Sequence, residues 1–229
     1  MDWTPGHRES VDATTEPGTA GPAVTGHGPR LTTYEYRLPD DCWQGWVPGS
    51  GIEAVSRTIA ERLADGSQAR GVVRRSVELL NADALTKGSV ICRQAVWVPD
   101  RSTGEVAAVL DATLLAARRG VLTPERHLAR NLRRYFGWTT RIEDYAASTS
   151  LVPAGDLTIE QVLLRLFRER QVQGYLYLNV FPVGAVEAFS LILNTVHLDL
   201  LQDIARQGRM IAESLQLTLG EVPGGRVIE

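Results

Sequence analysis

Hydrophobic and polar positions along this chain follow two periods, and the change from one to the other is sharpest in the last third. Tyr175-Leu176-Tyr177-Leu178-Asn179-Val180-Phe181 is rich in aromatic and branched residues and reads as a strand, as does Glu187 to Val196. The period then lengthens. Leu201, Ile204, Ala205, Gly208, Ile211, Ala212 and Leu215 form one stripe, which predicts an amphipathic helix over 199–217. Asp199 occupies the N-cap position of that helix, with Gln202 three residues on. Gly208 inside the stripe costs about 1 kcal/mol relative to Ala, a cost that makes sense if the helix must approach a sheet closely.

Upstream, Thr33 to Leu38 reads as a short edge strand ending at Pro39. Ser50-Gly51-Ile52-Glu53 has the form of a capping box, and Ile52, Val55, Ile59 and Leu63 recur at helical spacing until Gly66 stops the helix. Ala69–Leu80 and Ser89–Val98 are strand candidates, the second joined through the polar loop Pro99–Gly104 to Glu105–Ala117. Thr123-Pro124 opens a third helix, Thr as N-cap and Pro at the first helical position, running to about Tyr135. Residues 140–151 look extended, and Pro153-Ala154-Gly155 is a turn.

The segment 157–170 supports two readings. Ile159, Val162, Leu163, Leu166 and Phe167 fit helical spacing, and Thr158 with Gln161 would cap such a helix. Its branched residues and the strands that follow closely suit a buried strand instead. Taken together the elements predict an α+β fold: a mostly antiparallel sheet with packed N-terminal, middle and C-terminal helices. One domain is expected over 31–219. Residues 1–30, with four prolines and five glycines, are expected to be a disordered tail, and 220–229 a flexible one.

Composition changes this picture little. The 229 residues are 44% hydrophobic, enough for one substantial core, and the net charge of −3 implies no polyanionic partner. Of the 24 basic residues, all but Lys87 are arginine, the mark of a GC-rich genome. Cys42 and Cys92 lie far apart and lack the spacing of a zinc site or a disulfide framework. The charged N-terminus has no apolar core of a secretory signal, and the longest apolar stretch, Val106 to Ala117, is interrupted by Asp111. A cytoplasmic protein without membrane insertion is the expectation.

Chemistry is sparse. There is no GxSxG, Walker loop, GxGxxG or HExxH, and Asp40, Asp41, Asp100 and Asp111 have no metal-loop spacing, so no cofactor or metal is expected. Pro48-Gly49-Ser50-Gly51 opens a helix but lacks the lysine of a phosphate loop. His197, two residues before Asp199, is a candidate general base, although Asp199 is already explained as a cap and no nucleophile stands beside the pair. Between Arg118 and Arg141 lie seven arginines against one acid, Glu125. Arg126, Arg130, Arg133 and Arg134 share a helix face followed by Tyr135, Phe136 and Trp138, a stripe able to bind nucleic acid or another polyanion. A solvated helix face in an arginine-rich chain explains the same residues.

Tyr36-Arg37-Leu38-Pro39 leading to Trp43, with Phe189-Ser190-Leu191-Ile192-Leu193-Asn194-Thr195 and Ile211-Ala212-Glu213-Ser214-Leu215, resembles the PsbP-like fold and its actinobacterial LpqN-type members. The resemblance spans roughly residues 33–217 and favours strand over helix at 157–170. It implies a binding module with no catalytic residue to carry over. The N-terminal residues show no lipobox or signal-peptide pattern, so a departure from the lipoproteins of that group is expected. The reading that follows is a non-enzymatic domain acting through contact with another protein. Polyanion binding through 118–141 and an enzyme of unknown class using His197 are the alternatives.

Overall fold

The computed structural model describes residues 9–12, 29–49, 51–86, 91–116, 122–131, 140–166 and 171–220. In chain order the elements are β1 (Glu9–Asp12), β2 (Arg30–Tyr36), β3 (Trp43–Trp46), α1 (Ile52–Leu63), α2 (Gly66–Thr86), β4 (Ile91–Trp97) and β5 (Ala108–Ala116). Then follow α3 (Pro124–Asn131), β6 (Thr140–Val152), β7 (Gly155–Leu166), β8 (Gln171–Phe181) and β9 (Glu187–Thr195). A 3-10 turn at Leu198–Leu200 leads into α4 (Leu201–Ser214), and β10 (Gln216–Gly220) closes the described chain. The fold is α+β. A seven-stranded sheet runs in the order β3-β4-β5-β9-β8-β7-β6, and a small sheet in the order β1-β2-β10, with every strand pair antiparallel.

The large sheet buries both faces at its centre, each against a different helical layer. Alternation along β4 shows how: Ala95 and Trp97 join the core beneath α4, while Val96 and Val98 join the core beneath α1 and α2. On the α4 side, Leu176, Leu178, Leu191 and Leu193 meet Ile204, Ile211 and Ala212. On the other side Trp46, Ile59, Leu63, Val73 and Val77 pack together.

Gly208 is where α4 comes nearest. A Cβ at that position would stand 2.8 Å from Leu178 Cδ1 and 3.0 Å from Leu176 Cδ2, so the close approach read from the helix stripe is present. Polar contacts hold the rim of the same helix. The Trp43 indole donates to Gln207 Oε1, and the Arg37 amide donates to Ser214 Oγ at 2.9 Å. The Tyr34 ring lies 4.8 Å from that of Phe189, joining the small sheet to β9.

Several expectations change. Ala69–Leu80 is helix, not strand. Its buried residues Ala69, Val73, Val77, Asn81 and Ala84 recur at helical spacing, and Arg74 pairs with Glu78 one turn on at 3.5 Å. The adjacent apolar residues Val72-Val73 and Leu79-Leu80 mimic a strand locally, but packing against α1 and β4 overrides the propensity of the valines. Gly66 does interrupt the first helix, yet it also begins α2, with φ 76°. The C-terminal helix is shorter than 199–217: Asp199 lies in the 3-10 turn, and Leu200 occupies the N-cap without a side-chain bond. Leu217 belongs to β10, which pairs with β2. At the start of α1 the N-cap is Gly51, with φ 80° and no side-chain bond, and Ser50 of the expected capping box lies outside the described residues.

Two other expectations stand, at 155–166 and at Thr123. Residues 155–166 form a strand, as the family resemblance favoured over the periodicity. Thr123 accepts from the Arg126 amide at 3.4 Å, opening α3 as read. Within the expected N-terminal tail, Glu9–Asp12 pairs with β2 and Arg30 opens that strand; 1–8 and 13–28 lie outside the described residues, as do 132–139 and 221–229.

Gly208→Val is expected to lower stability by about 2 kcal/mol through overpacking, read as a lower urea midpoint at unchanged slope. An unchanged midpoint would mean that α4 stands farther from β8 than described.

Candidate functional site

The residues singled out in the sequence do not converge. Arg126 is exposed on α3, while the side chains of Arg130, Arg133 and Arg134 lie outside the described residues. Arg141 is on β6, 3.9 Å from Glu143, which also takes Arg165 at 2.6 Å. His197 sits at the end of β9. Its ring pairs with Glu105 at 3.3 Å, not with Asp199, and it does not line the cavity described below. Its own amide donates to Thr195 Oγ1 at 2.9 Å, a strand-end arrangement.

What the fold does bring together is a polar layer on the sheet face opposite α4. β7, β8 and β9 alternate, so Thr158, Glu160, Asn179 and Ser190 turn away from the α4 core and are nonetheless buried. His127 of α3 closes over them. Its Nε2 lies 3.2 Å from Glu160 Oε1 and 3.1 Å from Asn179 Nδ2. Asn179 Nδ2 also donates to Thr158 Oγ1 at 3.1 Å, and Ser190 Oγ donates to Asn179 Oδ1 at 2.7 Å. Tyr145 of β6 donates its hydroxyl to the other Glu160 oxygen at 3.0 Å. Burial, then the charge of Glu160 and the hydrogen bond to it, push the Tyr145 phenol up to about 12. The set satisfies its members internally, which describes a structural polar core holding α3 to β7.

Beside this layer, between α2 and the strands β4, β5, β9 and β8, lies a cavity of about 560 Å³. Leu80 and Asp83 form its helical wall, and Gln94, Asp111, Asn194 and Tyr175 are among the residues of its floor. Gln94 Nε2 donates to Asp111 Oδ1 at 2.9 Å, whereas Gln94 Oε1 is buried with no hydrogen-bond partner. Leaving such an acceptor unsatisfied costs about 1–3 kcal/mol. Tyr175 and Tyr177 stand two residues apart on β8 with their rings stacked, 5.9 Å between centroids and 13° between planes.

A third feature is an edge. β6 ends the seven-stranded sheet, and among the described residues it pairs with β7 alone. Its half from Tyr145 to Val152 carries no charged residue, and Ala146, Ala147, Ser148, Thr149 and Leu151 are exposed. Asp40, Asp41 and Cys42, between β2 and β3, place one ligand atom each within 4.8 Å of one another. Burial first, then the Asp40 and Asp41 carboxylates, hold the Cys42 thiol above its ordinary range, which opposes the thiolate a soft metal requires.

Sequence reading missed Glu160, Asn179, His127 and Gln94. The available signal was a polar residue in step with strand alternation: Asn179 breaks Tyr-Leu-Tyr-Leu-Asn-Val-Phe on the face that carries the tyrosines. No helix among the described residues is long and apolar enough to cross a membrane.

No family model matches this chain, and no curated protein does. Among solved structures it is similar to LpqN of Mycobacterium tuberculosis, a protein described as involved in cell envelope biogenesis. The similarity has 13% identity and a TM-score of 0.44 and covers 93% of this chain and 91% of LpqN. It is the LpqN-type resemblance expected from the apolar words of the sequence. It assigns no residue a role.

Two outcomes check the polar layer. Glu160→Ala is expected to cost about 3 kcal/mol, because it removes the acceptor shared by His127 and Tyr145 from a buried site; a thermal melt within a degree of the parent would contradict the network. The raised Tyr145 pKa means that folding favours the neutral phenol. Its contribution is complete below pH 10 and is lost as the pH rises toward 12. Tyr145→Phe should therefore flatten the fall in stability across that window and delete one late-ionising phenol from the ultraviolet titration.

Proposed function

We propose that this chain is a non-enzymatic binding domain that recognises an extended segment of another protein along the outer edge of β6. The observation that carries the reading is the outer edge of β6, which among the described residues pairs with β7 alone. A long edge strand normally carries lysine, proline or inward-pointing charge to block further pairing. From Tyr145 to Val152 the strand has none of these and leaves Ala146, Ala147, Ser148, Thr149 and Leu151 exposed. Backbone groups on such an edge supply affinity for an added strand, and the exposed side chains supply register. The bulge between Ile142 and Asp144 falls where charge begins, and so bounds the unprotected stretch on one side. Pro153 bounds it on the other.

Polyanion binding has less in its favour. Arg141 and Arg165 converge on Glu143, which neutralises part of the local positive charge. An enzyme built on His197 has least, since its ring pairs with an exposed carboxylate and neither residue lines the cavity.

Ala147→Lys combined with Thr149→Lys places two charges on the edge without touching the core. The pair should leave the melting temperature within about two degrees of the parent. Partner capture from native extract, with cross-links mapped to 141–152, should fall at least tenfold. Undiminished capture by this variant, or no partner recovered at any salt, would reject the reading.

A further inference from the structure

We infer that the cavity between α2 and the β4-β5-β9-β8 floor is a site for an uncharged ligand with an apolar ring body. This is separate from the β6 edge, which lies at the far side of the sheet order.

The polar side chains that line the space are already engaged. On the floor the Tyr175 hydroxyl donates to Gln173 Oε1 at 2.8 Å, and Gln173 Nε2 donates to Asn194 Oδ1 at 3.4 Å. Gln94 donates to Asp111 at 2.9 Å, and its Oε1 is buried beyond the reach of anything in the cavity. Asp83, Thr113 and Tyr177 each have an interaction partner of their own. A polar ligand would therefore give up its hydrogen bonds to water and find few vacant partners in exchange.

Charge is disfavoured in either sign. A carboxylate or phosphate would meet Asp83 and Asp111 as like charges. A cation would have to draw the same two carboxylates from the partners they hold, and shed its own hydration to enter.

The rest of the lining is apolar and belongs to one sheet face. Strand register sets it out: Val109 opposes Asn194, which opposes Tyr175, and Ile192 opposes Tyr177. Leu80 supplies the helical wall above them. Leu80 and Val109 are also packed against the core beneath α1 and α2, so the cavity extends that apolar layer into unfilled space. A ligand that buries apolar surface there displaces water from both partners. The parallel rings of Tyr175 and Tyr177 favour a ring body, through offset or edge-to-face contact. At about 560 Å³ the volume falls within the range of small-molecule sites.

Three probes with one naphthalene body separate the contributions: 2-(1-naphthyl)ethanol is uncharged, 2-(1-naphthyl)ethylamine is a cation and 1-naphthaleneacetate is an anion. Each is titrated into the full-length ¹⁵N-labelled protein. The alcohol should shift the backbone amides of Leu80, Tyr175 and Ile192 saturably and bind at least fivefold more tightly than the amine, with no saturable shift from the acetate. Ile192→Trp, which fills the space from the floor, should weaken the alcohol at least tenfold. Leu80→Gln, which removes apolar wall from the helix side, should weaken it about threefold. Equal or tighter binding of the amine or the acetate would overturn the inference, as would shifts confined to residues outside the cavity. Undiminished binding by both variants, or no saturable shift of the parent protein with any of the three probes, would overturn it as well.

Discussion

The approach of α4 to the sheet at Gly208 sets the spacing on which the rest of the molecule is built. A helix can sit this low on β8 and β9 only where one residue of its buried stripe has no side chain, and the leucines at 176, 178 and 193 fill the space so released. The helix is then held at its middle and at its C-terminal end. Gln207 accepts from the Trp43 indole, and Ser214 accepts from the Arg37 amide, so the segment leading into β3 and the last turn of α4 fix each other. These are the same short words, Tyr36-Arg37-Leu38-Pro39 with Trp43 and Ile211 to Leu215, that carry the family resemblance. Their physical content is the seam between the opening and closing elements of the chain.

Covering one sheet face with α4 leaves the other to be shared. α1 and α2 take the β3-β4-β5 end, α3 takes the β7-β8 region through His127, and the cavity lies beside α2, whose Leu80 and Asp83 form its helical wall. The strands continue under all three regions with the same alternation. Under α1 and α2 that face is apolar, as at Val96, whereas buried polar residues occur under α3 and at the cavity, as Asn179 and Gln94 do. The polar positions are of two kinds. Around Glu160 the groups satisfy one another and act structurally. At Gln94 one buried acceptor is left over.

Elements with a clean local period were legible from the chain alone. The strands at 175–181 and 187–195, the hairpin around Gly104, the Thr123-Pro124 helix start and the amphipathic α4 all carry their own signals. α2 was misread because paired apolar residues within a charged segment fit both periods over a short window, and only its contacts with α1 and β4 resolve them. The end of α4 was overrun because Leu215 and Leu217 extend the stripe numerically, although pairing with β2 is what recruits them to an extended form. The candidate site was scarcely legible.

What the sequence determined by itself was the class of the protein: an antiparallel sheet with helices before, within and after it, and a glycine where the final helix must come close. Such features follow from periodicity and backbone preference, which act over a few residues. Only the tertiary structure decided which polar side chains meet. Leu80, Gln94, Asp111, Tyr175 and Asn194 are spread over more than a hundred positions, and they line one cavity because β5 pairs with β9 and β9 with β8. Strand pairing at that separation depends on the whole core closing, and no local pattern records it.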